Sequence, residues 1–155
     1  MGKSMITKII GLRFFTIYGP WGRPDMMIMK YLIASKKNIN FPLYNKGDHF
    51  RDFTYIDDAV NICELLISKK IKKRFDIFNI CSSRPLLITK ILKEINMYIK
   101  KPKILKKPRD KADVYKTYGD NKKINIFLKK KIKFTSYKDG IKNTCKWFLQ
   151  NHNFI

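Results

Sequence analysis

The residues of this chain that are best suited to bind an anion lie in one short segment. Thr16 contributes a hydroxyl, Tyr18 a phenol that can donate or accept a hydrogen bond, and Arg23 a planar guanidinium. A guanidinium can grip a carboxylate or a phosphate through two parallel hydrogen bonds. Because Thr16 and Arg23 flank one turn, we predict that both side chains reach the same small anionic group. The alternatives are a surface ion pair between Arg23 and Asp25, and a place for Tyr18 in the core.

Other charged residues stand at places where a helix, a strand or a loop begins. Arg51 follows a glycine turn and opens a strand, so it could neutralise a phosphate or form a salt bridge with Asp57 or Asp58. The two aspartates are typical of acid/base chemistry, but they also stand at a predicted helix start, where such residues cap the backbone. We assign them to the helix. Arg109 lies in residues 109–120, which lack periodicity and form a candidate ligand loop.

The first segment has the pattern of a strand followed by a turn and a helix. Residues 9–18 are an apolar run broken by one arginine, which predicts a parallel strand that is buried on both faces. Gly19 and Gly22 then mark the turn, and Pro24 marks the start of a helix. In α/β sheets this arrangement places ligands at the carboxyl ends of the strands.

The rest of the chain alternates between strand and helix patterns, which predicts an α/β class. We expect a frayed leader over residues 1–8 and one folded unit over residues 9–155. Ser136 and Asp139 have the spacing of a capping box before a final helix. The other predicted elements are extended pieces at 41–44 and 101–107, strands at 51–56 and 75–80, a helix that is capped by Asp57 and buries Ala59, Val60, Cys63, Leu66 and Ile67, and helices at 88–99 and 121–128.

The charge of the chain is strongly positive and comes mostly from lysine. The 155 residues carry a net charge of +22, and only six of the 34 basic residues are arginine. Nucleic-acid binding is one explanation of such a charge. The other, which we favour, is a lysine-rich proteome, because the lysines are spread through every segment and contacts to bases and phosphates favour arginine.

Several classes of protein are disfavoured by the composition. No apolar run approaches the roughly 20 residues of a membrane helix. The three cysteines are odd in number and form no Cys-x-x-Cys, which indicates reduced thiols and a cytoplasmic location. With only two histidines, we expect no metal site.

Residues 11–26, GLRFFTIYGPWGRPDM, resemble almost letter for letter a segment of UDP-glucuronate 4-epimerases. These are NAD-dependent epimerases and dehydratases of the extended short-chain dehydrogenase/reductase family, and the segment follows their catalytic helix. The resemblance covers essentially the whole chain and continues through Tyr44-Asn45-Lys46-Gly47, Arg51 to Asp58, Phe78-Asn79-Ile80, Asp113 to Thr117 and the last helix. It implies the C-terminal portion of the enzyme, with the last strand of the Rossmann sheet and the small substrate-binding α/β subdomain. We expect the N-terminal dinucleotide-binding half to be missing.

The resemblance also implies roles for individual residues. Thr16 and Arg23 would bind the carboxylate of a uronate sugar, Arg51 would bind the diphosphate, and Tyr18 would neighbour the nicotinamide of NAD. The extended segment that ends at Tyr44 would hold the uracil base through its backbone.

Arg109 occupies the region where the family often supplies a second cation for the diphosphate. The family's usual Pro-Gly before Asp113 is replaced here by Lys111-Ala112, so the loop departs from the family pattern.

The reaction that the resemblance implies is the inversion of a sugar at C4, with NAD as the cofactor of the complete enzyme. We find no counterpart of the family's glycine-rich loop or of its Tyr-x-x-x-Lys pair, so we expect the chain alone neither to catalyse the reaction nor to bind NAD. The expected partners are a UDP-sugar and a separate chain that supplies the NAD-binding half. Two alternatives remain, a non-catalytic nucleotide-sugar-binding module and a basic nucleic-acid-binding protein. The second lacks the interleaved basic and aromatic residues of single-strand binders.

Overall fold

A computed structural model of the chain describes residues 7–110 and 112–152. Most of the predicted leader, residues 1–6, lies outside the described residues. Strands and helices alternate along the described chain. The strands are β1 Ile9–Phe14, β2 Thr16–Tyr18, β3 Asn40–Tyr44, β4 Phe50–Tyr55, β5 Phe75–Ile80, β6 Pro85–Leu87 and β7 Lys103–Lys107, and the helices are α1 Met27–Lys37, α2 Ile56–Ile67, α3 Ile88–Ile95, α4 Lys122–Leu128 and α5 Tyr137–Asn151.

The described strands form three small sheets. β1 pairs with β5 in parallel, β3 pairs with β7 in parallel, and β4 lies between β2, which is parallel to it, and β6, which is antiparallel. A short 3₁₀ turn, Asn45–Gly47, follows β3 and leads towards β4. Parallel pairing requires long crossover connections, and here these connections contain the helices.

Residues 9–18 form two strands, where we predicted a single buried one. The run breaks at Phe15, whose backbone N–H donates to Ile80 O at 3.1 Å, so that β1 joins β5 and β2 joins β4. No residue of β1 is buried, and Tyr18 in β2 is the buried member of the run. The prediction of burial on both faces was wrong because only one face of β1, with Ile10 and Leu12, packs against the core, whereas Ile9 and Arg13 on the other face are exposed.

The exposed side of the β1–β5 pair leads to a prediction about solubility. Ile9 and Phe75 are register partners and are 54% and 55% exposed, which leaves an apolar pair on a sheet with open edges. We expect lysine at both positions to reduce aggregation, measured by light scattering, with little change in the unfolding temperature. Ile67→Lys, which adds a charge outside this sheet, is the control and should have the smaller effect; equal effects would contradict an edge-specific origin.

Two groups of apolar side chains form the core. One lies around α1, α3 and α5 and includes Leu32, Ile91 and Ile141, and the other lies between α2, β5 and α4 and includes Ile62 and Phe78. Burial of these residues supplies the main driving force for folding.

The helices follow their predicted patterns to different degrees. The Ser136 side chain accepts a hydrogen bond from the Asp139 N–H at 3.1 Å, which confirms the predicted cap of α5. The predicted cap of α2 was wrong, because Asp57 lies inside the first turn and Tyr55 holds the cap position. The predicted apolar face of α2 was also partly wrong, since Val60 and Ile67 are exposed and Ile62 is buried.

Candidate functional site

A pocket of about 270 Å³ lies between β2, β3, β4 and the beginning of α1. Its wall is mostly apolar, from Met26 to Ile28 on one side and from Phe41 to Leu43 on the other. A mostly apolar wall with a few polar groups is typical of sites for small ligands. The polar or ionisable side chains in the wall are those of Thr16, Tyr18, Tyr44, His49, Arg51 and Asp113.

Arg51 is held at this pocket by β4 and by a carboxylate from a distant loop. Its side chain is 18% exposed, and its Nη2 donates to Asp113 Oδ1. Its Nη1 donates to the carbonyl oxygen of Phe50 at 2.8 Å. The salt bridge to Asp57 or Asp58 that we considered is not formed, since Asp113 is the acidic partner. A shielded guanidinium in a pocket wall is suited to bind an anion.

His49, which was not among the residues predicted for this site, precedes β4 and lines the same pocket as Arg51. It is 4% exposed, and its Nε2 lies 3.8 Å from Asp113 Oδ2, which is too long for a hydrogen bond. Nε2 has no hydrogen-bond partner among the described residues. The available signal was its position two residues before Arg51, because residues two apart in an extended chain point to the same side.

The loop that carries Asp113 is anchored to β4. Asp52 is fully buried and accepts hydrogen bonds from the Ser82 N–H at 3.1 Å, the Ser82 hydroxyl at 2.7 Å and the Gly119 N–H at 3.0 Å. The loop also joins β4 directly, because the Phe50 N–H donates to Tyr115 O at 2.9 Å. Arg51 and Asp52 are thus neighbours on β4 with different roles: Arg51 lines the pocket, and Asp52 anchors the loop in the interior.

Tyr18 lies in the core as well as in the pocket wall. Its ring packs edge-on against Phe53 and Tyr55, with centroid distances of 5.9 and 5.7 Å. Burial raises the pKa of its phenol above the usual value. A Cβ atom at Gly140 in α5 would overlap the Tyr18 hydroxyl, so the hydroxyl is enclosed by this helix.

Arg23 lies outside the lining of this pocket. Its Nε and Nη2 donate to the two carboxylate oxygens of Asp25 at 3.0 and 2.6 Å, and its side chain is 77% exposed. These hydrogen bonds hold the pKa of Asp25 below its usual value. Arg23 lines a separate groove with Trp21 and Trp147, so Thr16 and Arg23 do not line one pocket in this structure.

Arg109 is exposed and also lies outside the pocket lining. Its guanidinium carbon is 6.0 Å from the centroid of the Tyr115 ring, at the limit of a cation–π contact.

The expectation that the Tyr-x-x-x-Lys pair has no counterpart was wrong for the spacing, because Tyr118 and Lys122 have it. The structure shows that this spacing does not form a pair of the family's kind. Tyr118 lies in the loop, whereas Lys122 is the first residue of α4, so the two do not project from one helix face.

The contacts of Asp58 agree with a structural role. Its carboxylate accepts hydrogen bonds from the backbone N–H and the hydroxyl of Thr135, both at 2.9 Å.

In residues 7–110 and 112–152, no group of three or more His, Cys, Asp or Glu side chains could hold a metal ion. None of the described helices has the length and apolar character needed to cross a membrane.

Comparison with protein families identifies the chain at the family level. The model of the NAD dependent epimerase/dehydratase family matches residues 1–81, more than half of the sequence. The chain belongs to this family. Among curated relatives, an uncharacterized protein of Methanocaldococcus jannaschii is 41% identical over 96% of this epimerase-family chain and 45% of its own length. UDP-glucuronate 4-epimerase 5 of Arabidopsis thaliana is 34% identical over 92% of the chain and 36% of its own length.

Solved structures show the same relation. A UDP-glucuronic acid 4-epimerase from Bacillus cereus, in complex with UDP-glucuronic acid and NAD, is 25% identical with a TM-score of 0.76, over 90% of this chain and 44% of that one. MoeE5, in complex with UDP-glucuronic acid and NAD, has a TM-score of 0.83 at 24% identity and supports the fold alone, over 92% of this chain and 48% of that one. The epimerase-family chain therefore spans about half of the length of the proteins it matches.

The predicted place of the chain within the family was wrong. We expected only the C-terminal, substrate-binding portion, with the dinucleotide-binding half missing. The family match over residues 1–81 overturns this prediction and assigns that part of the chain to the Rossmann half. The motifs behind the prediction, such as residues 11–26 and 51–58, lie inside the matched region. Local motifs of this kind identify the family and do not decide which portion of its fold a chain represents.

Proposed function

We propose that the pocket binds the UDP part of a nucleotide sugar, and that the chain is part of an enzyme similar to UDP-glucuronate 4-epimerase. The observation that carries this proposal is the shielded Arg51 guanidinium in the wall of an otherwise mostly apolar pocket. The names of the curated relatives and of the solved complexes support the substrate class.

The uracil base is assigned to β3. This strand pairs with β7 on one side, and among the described residues it has no strand neighbour on the other. Phe41 to Tyr44 line the pocket, so backbone groups of the open edge can recognise the base as a neighbouring strand would. Tyr44 is 45% exposed at the end of this strand and can cover the ligand.

The diphosphate is assigned to Arg51, and Arg109 is a further cation on the loop that carries Asp113. Arg51 lies deep enough for its hydrogen bonds to be sheltered from water, which strengthens a contact with a charged group. Arg109 is exposed, so it would contribute to the attraction of the ligand more than to its affinity once bound.

The uronate carboxylate is assigned to Arg23, with Thr16 on the pocket side of the same segment. Arg23 already holds the Asp25 carboxylate with two hydrogen bonds, which is the contact that a uronate would replace. An exposed ion pair of this kind contributes little, about 0–1 kcal/mol, so the exchange of one carboxylate for another costs little.

One part of an NAD site is missing from this chain, although residues 1–81 match the Rossmann half of the family. In the complete family enzyme, NAD would accept and return the hydride at C4 of the sugar. The chain has seven glycines and no Gly-x-Gly-x-x-Gly among them, so it lacks the loop that receives the NAD diphosphate in such folds. Tyr18 remains our candidate neighbour of the nicotinamide, with its ring at the pocket and its hydroxyl enclosed by α5.

The proposal is tested by titrating the purified chain with UDP and by assaying it with NAD and UDP-glucuronate. We expect saturable binding of UDP in the calorimeter and no formation of UDP-galacturonate, because Tyr118 and Lys122 do not share a helix and the glycine-rich loop is absent. Absence of UDP binding would overturn the proposed site. Turnover by the chain, with host epimerase excluded by a mock preparation, would overturn the expected inactivity.

A non-catalytic nucleotide-sugar-binding module is the second candidate, and the same absence of a helical tyrosine–lysine pair favours it. The two candidates differ in a mixture with a protein that supplies the remaining part of the family fold. Activity that appears only in the mixture would support the epimerase, and its absence would support the binding module.

A further inference from the structure

We infer that His49 is a positioning residue. When Arg51 leaves Asp113 to bind the diphosphate of the ligand, His49 donates a hydrogen bond to the Asp113 carboxylate. The inference rests on the proposed binding of a diphosphate by Arg51. It adds an exchange of partners, in which an ion pair of the free protein is replaced by a hydrogen bond to His49.

Arg51 is occupied in the free protein. Its Nη2 donates to Asp113 Oδ1, so an incoming anion must compete with this carboxylate for the guanidinium. After the exchange, Asp113 would have lost its cation and would face a second negative group. The Asp113 side chain is 40% exposed, so water compensates only part of this loss.

His49 is the group that can donate a hydrogen bond to this carboxylate. Its Nε2 lies 3.8 Å from Oδ2, whereas Arg51 donates to the other oxygen, Oδ1. A movement of about 1 Å would convert this separation into a hydrogen bond. The Nε2 atom is buried and has no hydrogen-bond partner among the described residues. A buried polar atom without a partner lowers stability, and a hydrogen bond to Asp113 in the ligand-bound state would remove this cost.

The neighbouring groups leave this role to His49. The Tyr115 hydroxyl, which is close to the His49 ring, already donates to Asp48 Oδ1 at 3.2 Å. The loop backbone is held by two hydrogen bonds. The Gly119 N–H donates to the Asp52 carboxylate, and the Phe50 N–H donates to the carbonyl oxygen of Tyr115. Because Arg51 and His49 face different oxygens of one carboxylate, a rotation of the Asp113 side chain suffices and the loop can keep its position.

The test is a double-mutant cycle with UDP as the titrated ligand. His49→Phe keeps a ring in the buried site and removes the donor, and we expect the affinity for UDP to fall about threefold to tenfold, the effect of one hydrogen bond. His49→Gln, whose amide nitrogen can donate, should restore part of the affinity. Asp113→Asn should tighten UDP binding because it releases Arg51, and His49→Phe should have no further effect in that background.

Each outcome of the cycle has a definite meaning. An equal loss from His49→Phe with and without the Asp113→Asn substitution would show a merely structural role and overturn the inference. Normal UDP binding by the single His49→Phe variant would overturn it while the proposed function stands. Absence of UDP binding in the unsubstituted chain and in Asp113→Asn would overturn both. His152→Phe, outside the pocket lining, is the matched control, and the unfolding temperature without ligand is measured for every variant.

Discussion

Replacement of Arg51 with alanine is expected to weaken the binding of UDP and of UDP-glucuronate alike, by about tenfold to a hundredfold. The reason is the loss of charge-assisted hydrogen bonds to a diphosphate that both ligands carry, worth roughly 1.5–3 kcal/mol. The released Asp113 carboxylate would add repulsion in the same direction. Calorimetric titration of both ligands measures the effect.

Arg23→Ala is the comparison that gives this result its meaning. Arg23 is assigned to a carboxylate that UDP lacks, and its side chain is 77% exposed, so its loss should weaken UDP-glucuronate by up to about fivefold and leave UDP nearly unchanged. Arg23→Lys should restore only part of the affinity, because a point charge does not reproduce the planar fork.

Two observations would contradict these assignments. If Arg23→Ala weakens UDP as much as UDP-glucuronate, Arg23 is a diphosphate or scaffold residue. If Arg13→Ala, which removes the same charge from an exposed position outside the pocket, weakens UDP as much as Arg51→Ala does, the effect of Arg51 is one of net charge.

The largest effect on stability is expected at Asp52, the residue after Arg51. Asp52→Ala removes a fully buried carboxylate that accepts three hydrogen bonds, and it leaves the Ser82 and Gly119 N–H groups without their acceptor. We expect the free energy of unfolding to fall by about 3–5 kcal/mol, since hydrogen bonds to charged groups and unsatisfied buried donors both carry large costs. Urea denaturation followed by circular dichroism measures this change.

Asp57→Ala is the matched control for this substitution. Asp57 is exposed in the first turn of α2, where a negative charge contributes less than about 1 kcal/mol. Asp52→Asn keeps the shape and one acceptor oxygen, so its effect should lie between the two. Equal destabilisation by Asp52→Ala and Asp57→Ala would show that Asp52 does not anchor the loop.

The sequence was sufficient where the determining interactions are local. The pattern of residues 88–99 predicted a helix, and Ile88, Ile91, Leu92 and Ile95 form the buried face of α3 because helical geometry brings residues three and four apart to one side. The cap of α5 was also predictable, since Ser136 and Asp139 lie within one turn. Arg51 was selected from its place at the start of a strand after a glycine turn, and the structure places it in a pocket wall.

Only the tertiary structure decided which groups meet across long separations in the chain. Arg51 and Asp113 are 62 positions apart, so their ion pair depends on how the loop that carries Asp113 packs on β4. The same packing leaves the buried nitrogen of His49 beside Asp113, and no local pattern signals that.

The sequence by itself determined the family. The motifs of residues 11–26 and 51–58 are short and continuous, so they can be identified without knowing how distant parts of the chain pack. Neither the break of the first strand at Phe15 nor the separation of Tyr118 from Lys122 could be inferred from spacing. Phe15 is held by Ile80 of another strand, and a four-residue spacing brings two side chains together only when one helix contains both. Such long-range pairing is set by the whole fold, and it decided which of the candidate residues share a site.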